Sequence, residues 1–299
     1  MTVGPLTALA LGDAFGFGFE YAPPVFVQAN NFPRRGYVQH PGRPGNKPGT
    51  YSDDTQMSLA LAEALIDEMP WEQPRLAQRF VNAFKRDPRV GYAQRFYDFL
   101  VEIQDGEEFL AKIQPDSDKS GGAMRSPILG LLPDLPTLIG HTRLQCALTH
   151  NTPAGKAAAV VAALMLHYFH YDLGTKKDLG EFLDGIVPVR NFHWCQWDGR
   201  PVGSKGWQSV AAAATAVFKY GSMADILRAC VAYTGDVDTV ACIALAAASR
   251  SIEIEQDLPE ILMHDFEGGE YGWSYLEVLD MALLNRFPGA TECPPPVDE

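Results

Sequence analysis

Apolar residues recur at helical spacing in eight stretches of the chain: Met57–Ile66, Leu76–Phe84, Phe96–Ile103, Ala154–Phe169, Val210–Phe218, Ile226–Tyr233, Val240–Ala248 and Leu276–Leu284. Each predicts a helix with a buried face. Strands have nothing comparable, because no long alternation of Val, Ile and Thr bounded by turn pairs occurs. The fold class predicted is therefore all-α. The small residues of Ala154-Gly155-Lys156-Ala157-Ala158-Ala159 let helices approach closely and place that segment inside a bundle. Pro and Gly gather at 23–48, 115–122, 187–206 and 268–272, which read as loops. Phe32, Tyr37, Phe192, Trp194, Trp197 and Trp207 make these segments too aromatic for flexible spacers. Ordered rim loops on one domain, residues 1–293, are expected, with a short frayed tail at 294–299. There is no repeat of solenoid period.

Composition narrows the function classes. With 46% hydrophobic and 20% charged residues over 299 positions, the chain can fill a core, and disorder is excluded for its bulk. The 24 Lys and Arg against 37 Asp and Glu leave a net charge of −13, which argues against broad contact with a nucleic-acid backbone or an anionic membrane surface. Cys146, Cys195, Cys230, Cys242 and Cys293 form no Cys-x-x-Cys pair, so reduced thiols in the cytoplasm are expected. The apolar start, Thr2 to Leu11, lacks a basic flank and is interrupted by Asp13, unlike a signal peptide. The longest small-apolar runs, 157–166 and 240–248, fall short of the roughly 18 residues a membrane span needs.

Two acidic clusters carry candidate chemistry. Tyr51-Ser52-Asp53-Asp54-Thr55 and Gly235-Asp236-Val237-Asp238-Thr239 each directly precede an apolar-periodic helix. Taken singly, each is explained by capping, with Ser52 or Asp236 as N-cap and further carboxylates in a first turn that the helix dipole favours. Yet each also pairs carboxylates with a hydroxyl and lacks His and Cys, a donor set suited to Mg²⁺, Mn²⁺ or Ca²⁺. Whether the two clusters meet in space is left open by the sequence.

A larger ordered set is present: Gly12-Asp13-Ala14-Phe15-Gly16-Phe17-Gly18-Phe19-Glu20, then Ser52-Asp53-Asp54-Thr55, Ser120-Gly121-Gly122-Ala123-Met124-Arg125, Thr149-His150-Asn151 before an Ala-rich helix, and Gly235 to Thr239. Over residues 4–290 this resembles the ADP-ribosylglycohydrolase family, of the dinitrogenase-reductase-activating glycohydrolase type. The resemblance implies an all-α orthogonal bundle with two Mg²⁺ ions (or Mn²⁺) in a cleft, removing ADP-ribose from a modified protein side chain or a small acceptor. It implies metal ligation by Ser52, Asp53, Asp54, Asp236, Asp238 and Thr239, with Asp54 and Asp238 also catalytic. Glu20 falls on the acidic residue that would position or activate water and gate the cleft. Gly121, Gly122, Ala123 and Met124 fall on the loop whose backbone amides approach the diphosphate, and His150 on a ligand-contacting histidine. Ser52 stands where the family usually has Thr, Thr234 where it has the first of two glycines, and Val237 where it has Thr.

Other residues carry weaker expectations. Met124 and the Phe15, Phe17, Phe19 stripe suit a core or cleft wall, and Arg125 an ion pair with a nearby carboxylate. Tyr271 and Trp273 are candidates for stacking on adenine. An acidic rim of Asp265, Glu267 and Glu270 would favour an arginine acceptor over serine. The Trp194, Trp197 and Trp207 segment has no role assigned. Two rival readings remain: a non-catalytic ADP-ribose binder on the same scaffold, and a two-metal phosphodiesterase.

Overall fold

Thirteen consecutive residues without a polar face, except Thr7 and Asp13, open the described chain as helix α1 (Pro5–Phe17), and every one of them is buried. A computed structural model describes residues 3–290; the expected tail and Cys293 lie outside the described residues. The other helices are α2 (Pro24–Asn30), α3 (Asp53–Ile66), α4 (Gln73–Arg86), α5 (Gln94–Glu102), α6 (Gly106–Lys112), α7 (Gly121–Met124) and α8 (Leu135–Ala147). The second half adds α9 (Pro153–His170), α10 (Leu179–Ile186), α11 (Gly206–Lys219), α12 (Met223–Ala232), α13 (Val237–Ala248), α14 (Glu260–His264) and α15 (Trp273–Arg286). No β-strand occurs among the described residues, only isolated bridges, so the chain is all-α.

All eight stretches read from periodicity are helices, most of them beginning a few residues earlier, because first turns are polar and carry caps. α1 escaped that reading. Its apolar residues surround the axis and its second half is broken by Gly12, Asp13 and Gly16, which hide the spacing that the unbroken Ala-rich run of α13 keeps. α13 is likewise buried on all sides, and α1 and α13 form the central pair, flanked by α3 and α15 on one side and by α9, α11 and α12 on the other. Gly12 and Gly16 make that pair possible: a Cβ on Gly12 would stand 2.5 Å from the Ala241 carbonyl oxygen, and one on Gly16 would stand 2.4 Å from the Asp238 Cα. The glycines of the first motif therefore serve close helix contact, which brings the α1 end beside the second acidic cluster.

Asp280 of α15 accepts from the amides of Leu6 and Thr7, both at 2.8 Å, and so caps α1 from another helix. The 187–206 segment is ordered by its aromatic rings: Phe192 packs on Trp194 and Trp207 at 5.2 and 5.4 Å, and Trp197 on Trp207 at 6.0 Å. Trp194 donates to the Val187 carbonyl and the Trp197 amide to Thr215 Oγ1, so these rings are a satellite core against α10 and α11. No helix among the described residues is long and apolar enough to cross a membrane.

Candidate active site

At the start of α3, Ser52 is the N-cap, its hydroxyl accepting from the Asp54 amide at 3.3 Å. The helix end is then held by Asp13, which lies fully buried on α1. Its carboxylate accepts from the Ser52 amide (3.0 Å), Ser52 Oγ (2.8 Å), the Thr55 amide (3.0 Å) and Thr55 Oγ1 (2.6 Å). Burial still raises the Asp13 carboxyl to about 6 against the lowering effect of those four bonds. Asp13 thus fixes the direction in which Asp53 and Asp54 leave the helix. The single charge inside an apolar run was the sequence signal for it, and it went unused as a site residue.

The start of α13 is built differently. Thr234 and Gly235 both have positive φ, +62° and +91°, and the Asp236 amide donates to the Val202 carbonyl at 3.0 Å. Only glycine fits at 235, where a Cβ would come 1.9 Å from the Val202 oxygen. Ser209 Oγ donates to Asp236 Oδ2 at 3.0 Å, and Asp238 Oδ1 accepts from the Thr239 amide at 3.0 Å.

Glu20 joins this end. The Tyr21 amide donates to the Gly235 carbonyl at 2.8 Å, His40 Nε2 sits 2.9 Å from the Glu20 carbonyl, and Arg43 pairs with the Glu20 carboxylate. Glu20, Asp236 and Asp238 each place a carboxylate oxygen within 4.8 Å of the others. Asp53, Asp54 and Thr239 line the same cavity, of about 560 Å³, so the two clusters do converge. Ser52 stands behind the wall, its hydroxyl proton committed to Asp13.

Burial is the largest cause raising the four cavity aspartates, Asp53, Asp54, Asp236 and Asp238, followed by their neighbours' charges. Asp236 is pushed to about 7 by burial and then Glu20. Asp238 is held well above the usual range by burial, Glu20 and Asp54, and Asp54 by burial, Asp13 and Asp53. Asp53, partly open to the cavity, is raised by burial, Asp13 and Glu20. So many acidic groups in one place cannot all be ionised unless a cation joins them. Asp54 Oδ2 is buried without any hydrogen-bond partner, and every donor present is a hard oxygen. The residues therefore fit a hard divalent ion.

The opposite wall comes from α7 and the turn after α8. Gly121 and Met124 line the cavity, whereas Gly122 and Ala123 lie behind it, Gly122 packed so that a Cβ would meet Cys146 Sγ at 2.8 Å. The amides of Ala123 and Met124 donate to the Ser120 carbonyl, so they are spent inside the turn and do not face a ligand. His150 lines the cavity beside Gly121, and burial followed by the Arg125 charge lowers its imidazole to about 3, leaving it neutral.

Three expectations are corrected. Arg125, 1% exposed, has no carboxylate at ion-pairing distance among the described residues; Gln145 and Thr149 hold it by hydrogen bonds instead. Tyr271 and Trp273 are not on the cavity: Arg86 stacks on Tyr271, and Trp273 packs on Phe266. The rings that do line it are Tyr92, Phe96 and Phe99, contributed by α5 and the turn before it, and Tyr21 beside Glu20. The acidic rim is likewise elsewhere, since Glu267 binds Arg89 and the Tyr51 amide, while Asp265 pairs with His264 and Glu270 with the Tyr271 hydroxyl.

A comparison with known proteins agrees with this architecture. The ADP-ribosylglycohydrolase family model matches residues 2–287. ADP-ribosylhydrolase ARH3 of Xenopus tropicalis is 30% identical over 149 residues, 47% of this chain and 43% of that protein. The chain thus spans about half the length of the ARH3 relatives it matches. The ADP-ribosyl-[dinitrogen reductase] glycohydrolase of Rhodospirillum rubrum is 26% identical over 271 residues, 86% of this chain and 87% of that one. A solved ADP-ribosylglycohydrolase-related protein complex shares the fold at a TM-score of 0.70, with 21% identity over 94% of this chain and 96% of that chain. With a family match running over nearly its whole length, the chain belongs to the ADP-ribosylglycohydrolase family.

Proposed function

We propose that this protein is a divalent-metal-dependent ADP-ribosyl hydrolase that cleaves the glycosidic bond to a modified protein side chain or small acceptor. The observation that carries the reading is the convergence of Glu20, Asp53, Asp54, Asp236 and Asp238 from three separate segments on one cavity, facing Gly121 and His150. Asp53, Asp54, Asp236, Asp238 and Thr239, with Ser52 behind them, would hold two Mg²⁺ ions, Mn²⁺ being the natural substitute. Bound there, the ions would offset the carboxylate charge and grip ribose hydroxyls.

Loss of the acceptor leaves an oxocarbenium-like ribose at C1. Water attacks that carbon, the glycosidic electron pair leaves with the acceptor atom, and the water proton passes by way of a carboxylate to that departing atom. We assign that role to Glu20 over a metal-holding aspartate; the Arg43 contact to its carboxylate and the His40 contact to its backbone carbonyl support the assignment. Asp54 and Asp238 orient the diol. The wall of Tyr92, Phe96 and Phe99 offers stacking surface for a base. An arginine acceptor was favoured by a rim that is not at the cavity, so the proposal concerns the ADP-ribosyl half, and the acceptor is settled by assay. Free buried thiols among the described cysteines fit a reducing compartment such as the cytoplasm.

The test is chromatography of products from two matched peptides, ADP-ribosylated on arginine and on serine, with Mg²⁺ and after exhaustive chelation. Intact ADP-ribose released only with the ion is expected. Release of AMP would convert the reading to a phosphodiesterase, and tight binding of ADP-ribose without turnover to a binding protein.

A further inference from the structure

Along the cavity wall, where Arg125, Thr149 and His150 all line the space, a chain of hydrogen bonds runs from the glycine loop to His150. Gln145 Nε2 donates to the Gly122 carbonyl (3.2 Å) and to Ser126 Oγ (2.7 Å), which turns its Oε1 toward Arg125 Nε at 2.6 Å. The guanidinium also donates to the Gln145 carbonyl (3.2 Å) and to Thr149 Oγ1 (2.8 Å), and lies 4.6 Å over the Phe80 ring. Thr149 Oγ1 in turn is 2.7 Å from His150 Nδ1.

The direction of each proton follows from the donors. Arginine has only protons to give, so Thr149 Oγ1 is an acceptor toward Arg125. Among the described residues the Thr149 hydroxyl has one acceptor in reach for its own proton, His150 Nδ1. A proton on Nδ1 would also point at an oxygen already facing a buried cation. Nδ1 is therefore the acceptor and Nε2 carries the hydrogen, on the ring edge beside Gly121, where a Cβ would stand 3.3 Å from Nε2.

We propose that Arg125, acting through Thr149, is a positioning residue that locks His150 as the Nε2–H tautomer, so that the cavity presents a neutral hydrogen-bond donor to an acceptor oxygen of the ligand. The identity of that oxygen, on the diphosphate or a ribose of ADP-ribose, rests on the function proposed above; the tautomer does not. A neutral donor suits an oxygen that must be bound and then released beside several carboxylates.

Long-range ¹H–¹⁵N spectra of the full chain labelled on histidine read the tautomer at pH 7.5 with no substrate present. The wild type should show an unprotonated Nδ1, Thr149→Ser should keep it, and Thr149→Val should shift His150 toward the Nδ1–H form. A wild-type Nδ1–H signal, or an unchanged tautomer in Thr149→Val, overturns the proposal. In turnover with an ADP-ribosylated peptide, Thr149→Val should raise KM about five- to tenfold, the loss of one hydrogen bond, with kcat changed far less, and Thr149→Ser should restore it. A Thr149→Val variant that lowers kcat alone also overturns it. If wild-type protein binds no ADP-ribose, the functional reading fails while the spectrum still decides the tautomer.

Discussion

The α3 and α13 starts present nearly the same chemistry through opposite means. At α3 a buried carboxylate from another helix, Asp13, ties down the first turn with four hydrogen bonds. At α13 no side chain caps the helix; a left-handed pair, Thr234 and Gly235, aims Asp236, and close contact with Gly16 fixes Asp238. One end is positioned by hydrogen bonds and the other by backbone geometry and packing. Asp13 has four donors, whereas Asp236 and Asp238 have one each from Ser209 and the Thr239 amide and Asp54 Oδ2 has none, which is why Asp13 is explained without a cation and the cavity aspartates are not.

The largest expected effect is at the cavity. Asp54→Asn and Asp238→Asn should each lower turnover by about 10²–10⁴-fold at saturating Mg²⁺ while leaving the circular dichroism spectrum unchanged. A wild-type rate in either would reduce that aspartate to a helix cap. Behind the cavity the supports of both ends should matter for stability. Asp13→Asn turns an acceptor into a group that donates toward Ser52 and Thr55, unmaking charge-assisted bonds worth about 1.5–3 kcal/mol each. Its thermal midpoint should fall, and its apparent Mg²⁺ affinity with it. Gly235→Ala should destabilise by a similar amount, since a Cβ has no room beside Val202. Calorimetry showing either variant unaltered would remove that support from the comparison.

Much of the frame was legible in the sequence because amphipathic helices advertise themselves; α4, α5 and α12, each buried on one face, needed only their spacing. α1 was not, its apolar run being broken by Gly12, Asp13 and Gly16. The acidic clusters were visible as residues, but their meeting depends on the contact of Gly12 and Gly16 with α13, a tertiary fact with no local signature. Arg43 and Ser209 sit in segments with nothing to distinguish them, and only folding sets them against Glu20 and Asp236. Tyr271 and Trp273 misled for a simple reason: aromatic rings in a Gly-rich loop look the same whether they pack on Arg86 and Phe266 or on a ligand.

The comparison is sharpened by pH. Metal-free protein holds Asp54 and Asp238 well above the usual range and Asp236 at about 7. In the unfolded chain those groups have already lost their protons by pH 6.5. The folded state binds more protons there, so stability should fall as pH rises from 6.5 to 8.5, by up to about 1.4 kcal/mol per pH unit for each proton retained. The neutral His150 opposes this slope near pH 6.5, where an unfolded histidine is still half protonated, and adds little above about pH 7.5, so the fall is clearest in the upper part of the window. Saturating Mg²⁺ should flatten the slope by stabilising the ionised carboxylates. Melting temperatures across that window, with and without the ion, check the sign; a metal-free midpoint that rises with pH would show that these carboxyls are ionised without help.

The smallest effect concerns Thr234. A β-branched residue at φ +62° is strained by roughly 1–2 kcal/mol, whereas Asn adopts this region readily. Thr234→Asn should therefore raise the thermal midpoint by about 2–4 °C, on the scale of 1 kcal/mol for a chain of this size. Thr234→Gly separates strain from chain entropy. It relieves the same strain but adds conformational freedom to the unfolded state worth about 0.5–1 kcal/mol, so its midpoint should move less than that of the Asn variant. The Thr234 carbonyl bond to the Val202 amide at 2.9 Å involves only backbone and survives both changes, so the aim of Asp236 should be kept. Equal midpoints for all three proteins would mean that the loop around Thr234 has absorbed the strain, and the α13 start would then owe its geometry to Gly235 and Val202 alone.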